Sequence, residues 1–170
     1  MYGTVELRSY ITIVTRAIER MKALTREGNK KSAHSFEIEF EVWAVFDADN
    51  NSAGDVAQAK ERAKVVGVNV AFSNPCFEIW PLMHFQDVDG PITHNSAQKA
   101  LKRRMPKYDH SRGAIIDYES IRLPYDAAIK RAKFCDHRRR EEGIPENNPF
   151  TGVFRLTEAI RIAAKAIPFE

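Results

Sequence analysis

The stretch spanning residues 40–72 constrains the fold more than any other part of the chain. Residues 40–46 are aromatic and β-branched with little charge, the composition of a strand covered on both faces. Asp47-Ala48-Asp49-Asn50-Asn51-Ser52 is a polar, turn-forming cluster, and residues 53–66 follow as a helix closed by Gly67. A second extended run at 68–72 completes strand, acidic loop, helix, strand. So short a crossover predicts parallel pairing with right-handed connectivity. Both strands then end on one sheet edge, where ligands bind in open α/β sheets, which places Asp47, Asp49 and the Ser73-Asn74 corner at the expected site.

Helices account for most of the remainder. Leu7, Ile11, Val14, Ile18 and Met21 form the apolar stripe of an amphipathic helix over residues 5–24, followed by a polar loop over 25–35. Asn74 is positioned to cap a helix that begins at Pro75, with Phe77, Ile79, Trp80, Leu82, Met83 and Phe85 making it apolar nearly all round and therefore buried. Basic helices are expected over 96–105 and 124–142, a turn-rich linker over 145–149, and a closing core helix on Val153, Leu156, Ile160, Ala163 and Ile167. The 170 residues fit one domain, an α/β portion over 1–90 and a mostly helical portion over 91–170.

Charge and cysteine usage narrow the function classes. The net charge of +3 hides a segment, 95–140, with 13 Lys and Arg against 5 Asp and Glu, a local excess of +8 that leaves −5 for the rest. A basic segment beside an acidic one suits a polyanion held against a metal site, so nucleic acid is the expected partner; a merely solvated charged face is the alternative. Cys76 and Cys135 have no paired spacing, which argues against a disulfide framework or zinc knuckle and for a cytoplasmic location. No apolar run reaches the roughly 20 residues of a membrane span, and no targeting segment is evident. Gly-rich phosphate loops, H-E-x-x-H and G-x-S-x-G are absent.

Several residues are chemically suggestive. Asp47 and Asp49 at a strand end can converge on Mg²⁺ or Mn²⁺, or can bond their own turn backbone. Glu78 is anomalous in an apolar helix and needs a cation, a hydrogen-bond network or protonation. It is either salt-bridged to an Arg or Lys, or serves as a metal ligand or general base. Asn74, four residues earlier, would share its helix face. His84 would join Glu78 only if Pro81 breaks the helix; a satisfied core histidine is the favoured alternative. His34, His94, His110 and His137 read as surface residues.

Three strings carry a resemblance: Val42-Trp43-Ala44-Val45-Phe46-Asp47-Ala48-Asp49, Ser73-Asn74-Pro75-Cys76-Phe77-Glu78-Ile79-Trp80 through His84-Phe85, and Asn148-Pro149-Phe150-Thr151-Gly152-Val153. In order and spacing the chain resembles the RloB-like family over roughly residues 5–167. That resemblance implies a Toprim-like fold, a compact parallel sheet flanked by helices, and an association with bacterial phage defence beside an ATPase partner. It also implies magnesium-dependent nuclease chemistry, with Asp47 and Asp49 as metal ligands. Family members resemble one another in an initial strand that ends in an acid–base glutamate, whereas this sequence starts at the following helix. Four alternatives follow: a start upstream of the one given, a strand supplied by a partner, Glu78 as substitute, or a non-catalytic subunit that binds nucleic acid or the ATPase. Pro81 also departs from the family's usual leucine. A sheet edge left open by a missing strand would invite homodimerisation.

Overall fold

A computed structural model describes residues 10–31, 40–48 and 52–166. Among them are seven α-helices and a three-stranded mixed sheet, so the chain is α/β. The order is α1 (Tyr10–Lys31), β1 (Trp43–Asp47), α2 (Ala53–Val65), β2 (Asn69–Asn74), α3 (Ile79–Met83), α4 (His94–Arg104), a 3₁₀ turn (His110–Arg112), α5 (Tyr118–Arg122), α6 (Tyr125–Glu141), β3 (Phe150–Thr151) and α7 (Val153–Ala166). The sheet order is β1-β2-β3, with β1 and β2 parallel. The Asn69 amide donates to the Val42 carbonyl and the Ala48 amide to the Ser73 carbonyl, each at 2.9 Å. No helix among the described residues is long and apolar enough to cross a membrane.

Two compact units make up the chain: Met1–Phe46 with Asn51–Val70, and Asp47–Asn50 with Ala71–Glu170. In the first, α1 packs on α2 through the predicted stripe, with Val14 buried and Arg16, Glu19 and Arg20 exposed; Leu7 lies outside the described residues. Helix α1 continues to Lys31, into the segment 25–35 expected to be a loop, of which residues 32–35 lie outside the described residues. Thr25 hydroxyl donates to the Met21 carbonyl at 3.0 Å, and one glycine, Gly28, costs only about 1 kcal/mol relative to Ala, too little to stop a packed helix. Ser52 caps α2: its hydroxyl accepts from the Asp55 amide at 3.2 Å. Gly67 ends the segment at φ +74°, as its position after α2 predicts. Strand β1 is covered on one face only, since Val42, Ala44 and Phe46 are buried while Val45 is exposed.

In the second unit α3 is the innermost helix, and all five of its residues are buried. It is shorter than the apolar run suggests. The helix starts only at Ile79, so Asn74 belongs to β2 and shares no helix face with Glu78. Pro81 does not bend it, because Pro81 lies in the first turn, where a missing N–H removes no intrahelical bond. Helices α4 and α6 pack on α3. From α6, Arg131 donates to the Met83 carbonyl at 2.8 Å and the His84 carbonyl at 3.2 Å, capping the C-terminal end of α3.

The two-residue strand β3 falls just after the expected linker. It pairs antiparallel with β2, Ser73 opposite Thr151 and Asn74 opposite Phe150. A buried contact between the Ser73 and Thr151 hydroxyls at 3.0 Å ties the strands. Helix α7 buries Val153 and Phe154 at its start, but Ile160 and Ile162 are exposed, so its C-terminal half is not the core element its periodicity predicts.

Candidate functional site

Asp47 ends β1, and its Oδ2 accepts the Phe77 amide at 3.1 Å. That bond holds the carboxylate against the turn where β2 gives way to α3. Asp49 lies outside the described residues. Glu78 is the residue that precedes α3, and it is only 3% exposed. Its carboxylate receives the phenol of Tyr108 in a short hydrogen bond, the Nδ1 of His110 at 2.8 Å, and the thiol of Cys76.

The electrostatics follow from this crowding. Burial pushes the Glu78 carboxyl up, but the hydrogen bonds from Tyr108, its own backbone, Cys76 and His110 outweigh it and leave the group below the ordinary glutamate value. Glu78 is therefore ionised, and a hydrogen-bond network, with no Arg or Lys partner among the described residues, is what tolerates its burial. Burial, then the Glu78 charge, pushes the Cys76 thiol up; Asp47 adds to the same effect. Burial and the bond to Glu78 push the Tyr108 phenol up as well. Both remain protonated donors.

His110 differs from its neighbours, with 60% of its side chain exposed. Because Nδ1 faces a carboxylate oxygen, which can only accept, Nδ1 carries a proton there, while most of the ring's surface is open to solvent. The arrangement can orient an imidazole for proton transfer while Glu78 itself is shielded from solvent.

Asp47, Cys76, Glu78, Tyr108 and His110 thus form one cluster. Asn74 and His84 take other roles. The Asn74 amide donates to the Glu146 carbonyl at 3.1 Å. His84 is buried, its Nδ1 3.0 Å from the Trp80 carbonyl and its ring 4.7 Å from Trp80 in a T-shaped contact, as the core-histidine alternative has it for Nδ1. Its Nε2 has no hydrogen-bond partner among the described residues. His94 is half-buried rather than a surface residue, its Nε2 3.0 Å from the Pro75 carbonyl. His137 is exposed as expected, and His34 lies outside the described residues.

Sequence reasoning missed Tyr108 and His110. Their spacing of two, in Tyr108-Asp109-His110, lets an extended segment turn both side chains to one side. Nothing in the sequence ties them to a glutamate 30 and 32 residues upstream.

The basic segment divides. On α6, Arg131 pairs with Asp87 at 2.8 Å, Arg140 with Asp136 at 3.0 Å, and buried Arg139 with Glu142 and the Asp89 carbonyl. These arginines hold the fold. On α4 and just after it, Lys99, Lys102, Arg103, Arg104 and Lys107 are exposed and have no carboxylate partner among the described residues. The Lys102 ammonium donates to the Tyr108 carbonyl, so this cationic stripe leads into the Glu78 cluster.

No group of three or more His, Cys, Asp or Glu among the described residues is arranged to hold a metal ion. Mg²⁺ does not require one, since it commonly keeps most of its waters and binds through one or two carboxylates. Asp47 is a hard oxygen donor of that kind at the strand end.

Residues 4–160 match the family model described as RloB-like protein, and the chain belongs to that family. No curated protein and no solved structure matches it.

Proposed function

We propose that this member of the RloB-like family is a divalent-metal-dependent nuclease of an anti-phage defence system, cleaving phosphodiesters at the cluster around Asp47 and Glu78. The observation that supports it best is the convergence, within one unit, of a strand-end aspartate with a buried, ionised glutamate that holds an exposed histidine. Asp47 and Asp49 would hold Mg²⁺ or Mn²⁺. Such an ion, when bound, neutralises charge on the scissile phosphate and lowers the pKa of an attacking water.

The protein's own groups would divide the remaining work. Glu78, enclosed by Tyr108 and Cys76, would fix the tautomer and orientation of His110. The Nε2 of His110 would accept a proton from the attacking water, or return one to the leaving oxygen. The α4 stripe would position the phosphate backbone without reading its sequence. An ATPase partner and a second copy of the chain remain part of the proposal.

A thermal melt with and without millimolar Mg²⁺ or Mn²⁺ tests the metal, on wild type and on Asp47→Asn, because an ion that binds only the native state raises apparent stability. The expected outcome is a metal-dependent rise that Asp47→Asn loses. Identical melts would leave a second reading ahead, a non-catalytic subunit that binds nucleic acid or the ATPase. What favours that alternative is the near-complete enclosure of Glu78, which suits a structural anchor as well as a catalytic one.

A further inference from the structure

The apolar stripe of α7 is written for a burial that the folded chain does not supply. Val153, Leu156, Ile160 and Ala163 recur at the three- and four-residue spacing of a core helix. Burial falls away along it: Val153 is buried, Leu156 is half-buried, and every residue from Ile160 to Lys165 is exposed. Ile162, on another side of the helix from Ile160, is 70% exposed. A helix end that is apolar on two sides is one that packing normally encloses.

A groove of matching character adjoins it within the second unit. A cavity of about 480 Å³ is bounded by α5 on one side and α7 on the other. Trp80 and His84, themselves buried, close its floor. Its accessible walls are apolar, from Tyr118, Leu123 and Ile160, at 65%, 82% and 57% exposure. With Ile162, these side chains expose on the order of 500 Å², in the upper part of the roughly 300–600 Å² of the largest patch on a typical monomer.

Charge selects the class of partner. Arg122 pairs with Glu119 at 3.1 Å and Arg161 with Asp126 at 3.0 Å, so the guanidinium groups at the rim are neutralised within the face. A polyanion therefore gains little there, in contrast to the α4 stripe, and the face suits an uncharged, apolar partner. Groove and helix end share Ile160, so a second copy of the chain offers each feature what it lacks. A two-fold axis satisfies both at once, because it brings the same patch of each copy together. Area is sufficient too. At the roughly 60% apolar share of protein interfaces, about 500 Å² of apolar surface corresponds to about 800 Å² per copy, the standard size for a specific contact. We propose that this face pairs two copies of the chain about a two-fold axis, the exposed end of α7 in each seated in the α5–α7 groove of the other.

Sedimentation of the full chain over about a hundredfold range of concentration, without metal or nucleic acid, tests this separately from cleavage. A reversible monomer–dimer equilibrium is expected, weakened about tenfold or more by Leu123→Glu and by Ile160→Glu, each of which buries a charge in the contact. Both residues are exposed in the single copy, so both variants should fold by circular dichroism; if one does not, the other decides. Val65→Glu, at an equally exposed apolar residue of α2, should leave the equilibrium unchanged. A monomer at every concentration overturns the inference and leaves the groove to a different apolar partner. A dimer that Leu123→Glu and Ile160→Glu leave intact overturns it by placing the contact elsewhere. One that Val65→Glu weakens equally is non-specific association and overturns it as well.

Discussion

Glu78 is where the local chemistry of this protein is concentrated. Removing its carboxylate strands the Tyr108 hydroxyl and the Cys76 thiol in a buried space, at about 1–3 kcal/mol for each unsatisfied polar group. Glu78→Ala should therefore lower unfolding stability by roughly 3 kcal/mol in urea denaturation, with Glu78→Gln costing less because an amide oxygen still accepts. The pH dependence has a definite sign. The folded carboxyl lies below its ordinary value of 4.5, so its contribution is complete above that value and is lost as pH falls through the lowered folded value. The stability gap between wild type and Glu78→Gln should hold steady at neutral pH and shrink on the acid side; a gap that widens below pH 4.5 would contradict an ionised, network-held Glu78. The sequence marked Glu78 as an anomaly because charge in an apolar run needs compensation. It could not name the compensators, since Tyr108 and His110 reach it only through the path of the chain after α4.

Secondary-structure elements were legible where periodicity and punctuation agreed. Helix α2 has Ser52 before it and Gly67 after it, and α4 and α6 lie within two residues of their expected bounds. Misreadings arose where tertiary packing overrode local signals. The Asn74-Pro75 pair looks like a helix cap, yet the chain there turns around the Asp47 carboxylate before α3 begins. Strand β3 is too short for periodicity to announce it, and its place is set by close backbone approach. Gly152 donates to the Phe72 carbonyl, and a Cβ on it would lie 3.3 Å from both the Phe72 nitrogen and oxygen. Both neighbours are backbone and cannot rotate away. Gly152→Ala should thus cost about 1–3 kcal/mol, the range for overpacking, read as a lowered urea midpoint with an unchanged m value. A neutral substitution would mean that the β2–β3 approach is looser than the 2.6 Å hydrogen bond there indicates.

Across the whole molecule the charge distribution carries the expectation of a polyanion partner. The +8 of residues 95–140 overstates what is available, because much of α6 is engaged in ion pairs and carbonyl contacts. The α4 stripe is the part left to meet phosphate. If nucleic acid binds there, Lys99→Glu with Arg103→Glu should weaken binding at all sequences alike. The variant should also flatten the slope of log K against log salt by roughly 1–2, one increment of about 0.7–0.9 for each lost phosphate contact. An unchanged salt slope in a fluorescence-anisotropy titration would move the contact surface away from α4.

The amino-acid order by itself determined the α/β class, the parallel β1–β2 pair, the acidic strand end at Asp47 and the family, because these depend on composition and spacing within tens of residues. Only the tertiary structure decided which groups surround Glu78, which arginines remain available on the surface, and that His84 lines a cavity with a nitrogen that is unpaired among the described residues. Those outcomes depend on side chains far apart in sequence meeting at hydrogen-bond distance. No local pattern encodes such meetings, because they are settled by how the helices pack.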